Sequence, residues 1–163
     1  MFLQKIYLFL FAVGVCLPAA VSAEDFRVSF GGDIAMYSQT GYAYGGSIAL
    51  GYGSGTALGL RVAFFSNNEE NVSVLEINFL LRHYLSSVLG LPTYGGPFVQ
   101  LMAGPSLYNR PGDFSIPSNT GTISTGVGLG WRFIFANRVF VEPFVRGGFP
   151  YAFGAAVSAG FQF

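Results

Sequence analysis

The chain has 163 residues, 52% of them hydrophobic and only 10% charged, and its formal net charge is zero. A soluble domain carries about a quarter charged residues and a nucleic-acid binder carries a basic excess, so the composition excludes both classes. With 23 glycines and 17% aromatic residues, it is not a helical membrane protein built on leucine runs either. Glycine with evenly spread Phe and Tyr suits strands whose two faces meet different surroundings.

Residues 1–23 read as a cleavable signal peptide. Lys5 gives a positive start, an apolar run spans residues 6–15, Pro18 breaks it, and Val21-Ser22-Ala23 forms a small-residue cleavage site. A spanning helix is the alternative, but the run is short against the roughly 20 residues a span requires. Cys16 is the only cysteine, and lipid attachment there would want a small residue in place of Val15. Cleavage after Ala23 leaves one domain, residues 24–163, with no disulfide.

From there the hydrophobic signal alternates with period two, the mark of a strand with unlike faces. Phe26, Val28, Phe30, Ile34 and Met36 oppose Arg27, Ser29, Gly31, Asp33 and Ala35 in the first strand, and residues 38–42 turn. The second sets Tyr44, Gly46, Ile48, Leu50 and Tyr52 against Gly45, Ser47, Ala49 and Gly51, and closes on Gly53-Ser54-Gly55. The third sets Leu58, Leu60, Val62 and Phe64 against Ala57, Gly59, Arg61 and Ala63, before a polar loop at 66–71. The fourth sets Leu75, Ile77, Phe79 and Leu81 against Glu76, Asn78, Leu80 and Arg82. After a connection at 86–96, Val99, Leu101 and Ala103 alternate with Phe98, Gln100, Met102 and Gly104. The longest polar stretch, 109–119, leads to a sixth strand with Ile123, Thr125, Val127, Leu129, Trp131 and Phe133 against Ser124, Gly126, Gly128, Gly130 and Arg132. A turn at 136–138 gives a seventh, with Val139, Val141, Pro143 and Val145 against Phe140, Glu142, Phe144 and Arg146. Residues 147–153 read as the last loop and 154–163 as the eighth strand.

Eight segments of about ten residues match the length that crosses a bilayer at a tilt. They predict an all-β fold: a closed, antiparallel, up-and-down eight-stranded transmembrane barrel with both termini on one side. A soluble barrel would put large apolar residues inside and charges outside; here the charges share their face with Gly, Ser and Ala. Pro143 removes a ladder donor and predicts a local bulge or irregularity.

The leader, the eight segments and the terminal Gly160-Phe161-Gln162-Phe163 together resemble the small outer-membrane β-barrels of diderm bacteria, typified by OmpX, OmpW and the OmpA transmembrane domain. The resemblance covers the whole mature chain. It implies an address in the outer membrane, contact with its lipid or lipopolysaccharide, and an assembly signal read by the outer-membrane assembly machinery. Val157, Ala159, Phe161 and Phe163 occupy the positions of that signal. The connections expected outside the cell are short, and that at 86–96 is long for a periplasmic turn.

By alternation, Arg27, Asp33, Arg61, Glu76, Arg82, Arg132, Glu142 and Arg146 all point inward, five cations against three acids. Symmetry about the turns sets Arg132 opposite Glu142 and Arg61 opposite Glu76, within reach of an ion pair. Such a network is either a charged plug whose rearrangement opens a narrow pore, or simply a set of satisfied buried charges. A lipid A-modifying enzyme would need a serine beside a histidine base. The single histidine, His83, is about 10 Å along an extended strand from Ser86 and Ser87. No metal cluster, cofactor motif or phosphate loop stands out. Tyr37, Tyr42, Tyr44, Tyr94, Tyr108, Trp131 and Tyr151 fall near strand ends, where interface girdles form. The expected function is therefore that of a monomeric, non-enzymatic outer-membrane barrel with a structural or narrow-channel role. The alternative is surface interaction or adhesion through loops 66–71 and 109–119.

Overall fold

The computed structural model describes residues 26–37, 41–68, 71–86, 88–90, 95–109, 119–136 and 138–163. Residues 1–23, read above as a signal peptide and including Lys5 and Cys16, and Tyr94 lie outside these residues. Eight strands follow in order: β1 Phe26–Tyr37, β2 Gly41–Tyr52, β3 Thr56–Asn67, β4 Val72–Tyr84, β5 Gly96–Asn109, β6 Asn119–Phe135, β7 Val139–Phe149 and β8 Tyr151–Gln162. Each pairs antiparallel with its neighbour in sequence, and β8 returns to β1, so the sheet is a closed barrel. The connections after β2, β4 and β6 lie at the end that holds Phe26 and Phe163, here the terminal end; the other four lie at the distal end.

The faces follow the alternation. Phe30, Ile48, Phe64, Phe79, Leu101, Leu129, Val145 and Val157 are all exposed on the outside. Arg27, Asp33, Arg61, Glu76, Gln100, Arg132, Glu142 and Arg146 are buried on the inside. This inverts the arrangement of a water-soluble protein. Small inner residues leave room for large ones. A side chain at Gly130 would overlap the Phe98 and Phe144 side chains, and one at Gly160 would overlap the Phe140 ring. The tight β2–β3 connection depends on Gly53, whose φ of 112° disfavours any L side chain.

Two local expectations change and a third narrows. The last loop shrinks to Pro150, because β7 runs to Phe149 and β8 begins at Tyr151. The long polar connection narrows to residues 110–118, because Asn109 and Asn119 pair across the ladder. Of the bulge or irregularity expected at Pro143, the structure has the irregularity. The β6–β7 pairing lapses opposite it, between Gly130↔Phe144 and Phe133↔Val141, and resumes in the same register. On its other side Pro143 still pairs with Val157. Pro105 acts alike: β4–β5 pairing lapses between Glu76↔Ser106 and Phe79↔Ala103, whereas Pro105↔Ile123 holds. Each proline thus costs ladder contacts on one side only.

Candidate functional site in the barrel lumen

The inward charges form two tiers along the barrel axis. At the terminal end the focus is Glu142 on β7. Arg82 Nη1, from β4 across the lumen, lies 2.8 Å from each carboxylate oxygen. Arg132 Nε, from the neighbouring β6, donates to Oε1 at 2.5 Å. Arg82 also donates from Nε and Nη2 to the Gln100 side-chain oxygen, at 3.1 and 2.8 Å. The Tyr84 hydroxyl accepts from Arg27 Nη1 at 3.1 Å and Arg82 Nη1 at 3.2 Å, and donates to Glu142 Oε1 at 3.5 Å. Aromatic faces cover the guanidinium groups: Arg82 lies 4.1 Å from the Phe98 ring centre, and Arg132 lies 4.3 Å from that of Phe140 and 4.6 Å from that of Tyr84. Such contacts add about 2 kcal/mol or more each where water is excluded.

Nearer the distal end, Arg61 on β3 pairs with Asp33 on β1. Arg146 Nη1 on β7 pairs with Glu76 Oε2 on β4 at 2.7 Å. Glu76 also accepts from the Tyr37 hydroxyl at 2.7 Å and from Asn78 Nδ2 at 3.3 Å. Ser124 donates to Asn78 Oδ1 at 2.5 Å. The Tyr151 ring lies 4.0 Å from the Arg146 guanidinium. Buried Leu80, Met102 and Phe144 occupy the positions between the tiers. Two cations meet two acids in the distal tier (Arg61 and Arg146 with Asp33 and Glu76), so it is neutral. Three cations share one acid in the terminal tier, an excess of two positive charges (3 − 1 = 2).

All eight inward charges thus meet in the lumen, with different partners from those the turns suggest in one case. Arg132 and Glu142 are bonded. Arg61 and Glu76 are not: the β3–β4 register sets Arg61 opposite Asn78 and Glu76 opposite Ala63. The pairing centre lies one residue further along the chain than the loop's midpoint, which slides every partner by two positions and keeps both side chains inside. Arg61 and Glu76 each then find a partner on a strand that is not adjacent.

The girdle divides. Tyr42, Tyr44 and Trp131 are exposed on the outer face. Tyr37 and Tyr151 are buried inside with Tyr108 packed against them. Tyr37 and Tyr108 have the parity of Asp33 and Met102, a signal present in the sequence. Tyr151 does not share the parity of Gly154 and Ala156. An irregularity that pairs Met36 with Phe153 but Tyr37 with Tyr151 turns its side chain inward. Tyr84 and Gln100 also belong to the network, and the parity of Arg82 and Phe98 marks both.

Val157, Phe161 and Phe163 are exposed on the outer face of the closing strand, as is Ala159. The Phe163 amide donates to the Phe26 carbonyl at 2.9 Å, and Gln162 pairs with Arg27. His83 lies outside the barrel at the terminal end, and its Nδ1 is 2.8 Å from Thr56 Oγ1, its cross-strand partner. No group of three His, Cys, Asp or Glu side chains that could hold a metal exists among the described residues.

No protein-family model matches the chain, and no curated protein matches it in sequence. Solved structures do match. The N-terminal β-barrel domain of Pseudomonas aeruginosa OprF superimposes with a TM-score of 0.57 at 17% identity, over 86% of this chain and 98% of that one. The Pseudomonas aeruginosa outer membrane protein OprG gives 0.58 at 10% identity, over 86% and 96%. Neisserial surface protein A gives 0.54 at 18% identity, over 87% and 98%. At these identities the likeness is one of fold, and the fold is that of the small eight-stranded outer-membrane β-barrels.

Proposed function

We propose that this chain is an exported, monomeric protein integral to the outer membrane of a diderm bacterium, and that its plugged barrel serves envelope structure. The observation that carries this reading is the inversion of its two faces. Large apolar side chains are exposed outside while the charges are buried and bonded inside, an arrangement stable in hydrocarbon and unstable in water. Closure of β1 onto β8 leaves no strand edge unpaired in lipid. The partners that go with this proposal are bilayer lipid or lipopolysaccharide along the outer face, and the outer-membrane assembly machinery at Val157, Ala159, Phe161 and Phe163, the latter from the terminal-strand pattern of the sequence.

The plug favours structure over conduction. Arg61, Glu76, Arg132, Glu142 and Arg146 are each at most 3% exposed, so protein rather than water fills the lumen at their levels. A narrow channel would need both tiers to rearrange. The surface-interaction reading rests chiefly on residues 110–118, which lie outside the described residues. Two measurements test the proposal. The protein should fractionate with the outer membrane, and refolded protein in a planar bilayer should show no conductance above background. Recovery in the periplasm would overturn the location, and sustained ohmic steps would overturn the plug.

A further inference from the structure

The terminal tier is incomplete as a set of ions. Arg27, Arg82 and Arg132 face one carboxylate, and two guanidinium nitrogens, Arg27 Nη2 and Arg132 Nη1, are buried without a hydrogen-bond partner. Arg27 is 4% exposed and Arg132 is 2% exposed, so bulk water does not satisfy them. Both side chains line one cavity of about 30 Å³, together with Ser29, Tyr84, the third cation Arg82 and the one acid Glu142, so three cations face one carboxylate around it. The space exists because β2 and β3 offer only small inner residues at this level, among them Ala49, Ala57 and Gly59. The carboxylate does not reach the free nitrogens: it accepts instead from Arg82 Nη1, Arg132 Nε and the Tyr84 hydroxyl.

A buried cation without a partner costs several kcal/mol, and here the excess is two charges. A cavity needs roughly 10–15 Å³ to hold one water-sized particle, so this one, at about 30 Å³, has room for a monatomic ion. We propose that the cavity binds a single halide-sized inorganic anion, chloride in ordinary media, between Arg27 Nη2 and Arg132 Nη1. The donors are guanidinium N–H groups, with the Ser29 hydroxyl on the same wall. The anion reduces the excess from two charges to one and satisfies both free nitrogens. The site is a fixed part of the folded barrel and does not depend on whether the lumen conducts.

Crystals of the refolded protein grown in sodium bromide and measured at the bromine edge test this directly. We expect one anomalous peak in the lumen within hydrogen-bonding distance of both guanidinium groups. A map with no such peak, or with peaks only at surface residues such as Arg138 (an adventitious ion only), overturns the proposal. In solution, thermal unfolding in sodium chloride and in sodium gluconate at equal ionic strength gives a second readout. An anion at about five times its dissociation constant should raise the midpoint by roughly 2–4 °C in chloride. The difference should vanish in Arg27→Gln. Equal midpoints for the wild-type protein in the two salts count against the site. If Arg27→Gln does not fold, the bromide map of the wild-type protein decides alone.

Discussion

Glu142→Gln is the sharpest perturbation of the lumen. The substitution keeps the side-chain volume, so it creates no cavity and isolates the charge. Glu142 accepts from Arg82 at 2.8 Å and from Arg132 at 2.5 Å, and its side chain is 2% exposed. The glutamine amide places a donor where two oxygens now accept, and it leaves Arg27, Arg82 and Arg132 with no acid in their tier. Hydrogen bonds to charged groups contribute about 1.5–3 kcal/mol each, and removal of one partner of a buried ion pair costs about 3–5 kcal/mol. The second figure governs here, because Arg27 and Arg132 are only 4% and 2% exposed and the Arg82 side chain 13%. We predict a loss of about 3–5 kcal/mol, read from urea unfolding of the barrel in lipid vesicles by Trp131 fluorescence. Addition of Arg132→Met should recover part of that loss, since it removes one uncompensated cation. A change below about 1 kcal/mol for Glu142→Gln, well short of the buried-pair range, would show that the tier is solvated and the reasoning wrong.

Three further outcomes are expected. Gly130→Ala should destabilise by about 1–3 kcal/mol through overlap with Phe98 and Phe144, whereas Gly32→Ala, with open space around it on the outer face, should be neutral or stabilising in the same unfolding assay. Trp131, the sole tryptophan and 41% exposed on the outer face, should be quenched by brominated lipids and not by aqueous iodide; the opposite pattern would mean that the outer face is not in lipid. Deletion of Phe163 removes the amide that bonds the Phe26 carbonyl and the ring that lies 6.3 Å from that of Phe26. We predict that it lowers the heat-modifiable, folded fraction in membranes more than replacement of residues 110–118 by a short glycine turn does.

The face of nearly every strand residue was legible in the sequence, because parity is a local property that survives errors in register. Arg61 and Glu76 illustrate this: both are inside although their pairing differs. Turn symmetry found Arg132–Glu142, whose hairpin closes evenly about residue 137. It could not find Arg61–Asp33, Arg82–Glu142 or Arg146–Glu76. Those pairs join strands that are not neighbours, and their alignment depends on the stagger of the closed barrel, which no single hairpin encodes. Tyr151 was hidden for a different reason: one extra residue at the β8 end reverses its side, and the sequence there shows only small and aromatic residues. An irregularity at Pro143 was legible, but not its one-sidedness: the donor is lost toward one neighbour while the other ladder continues.

The unequal tiers bear on how such a barrel could enter a membrane. If the termini stay on the side from which the barrel enters, the distal connections must cross the hydrocarbon first. The charges nearest that leading end are Asp33 with Arg61 and Glu76 with Arg146, which cancel. The surplus cations around Glu142 trail behind and complete the shortest passage from water. On that route the charge of the lumen is graded along the direction of entry. An arginine substituted for Ser124, in the leading half, should slow insertion into vesicles more than one substituted for Ser29 in the trailing half; equal rates would remove the idea.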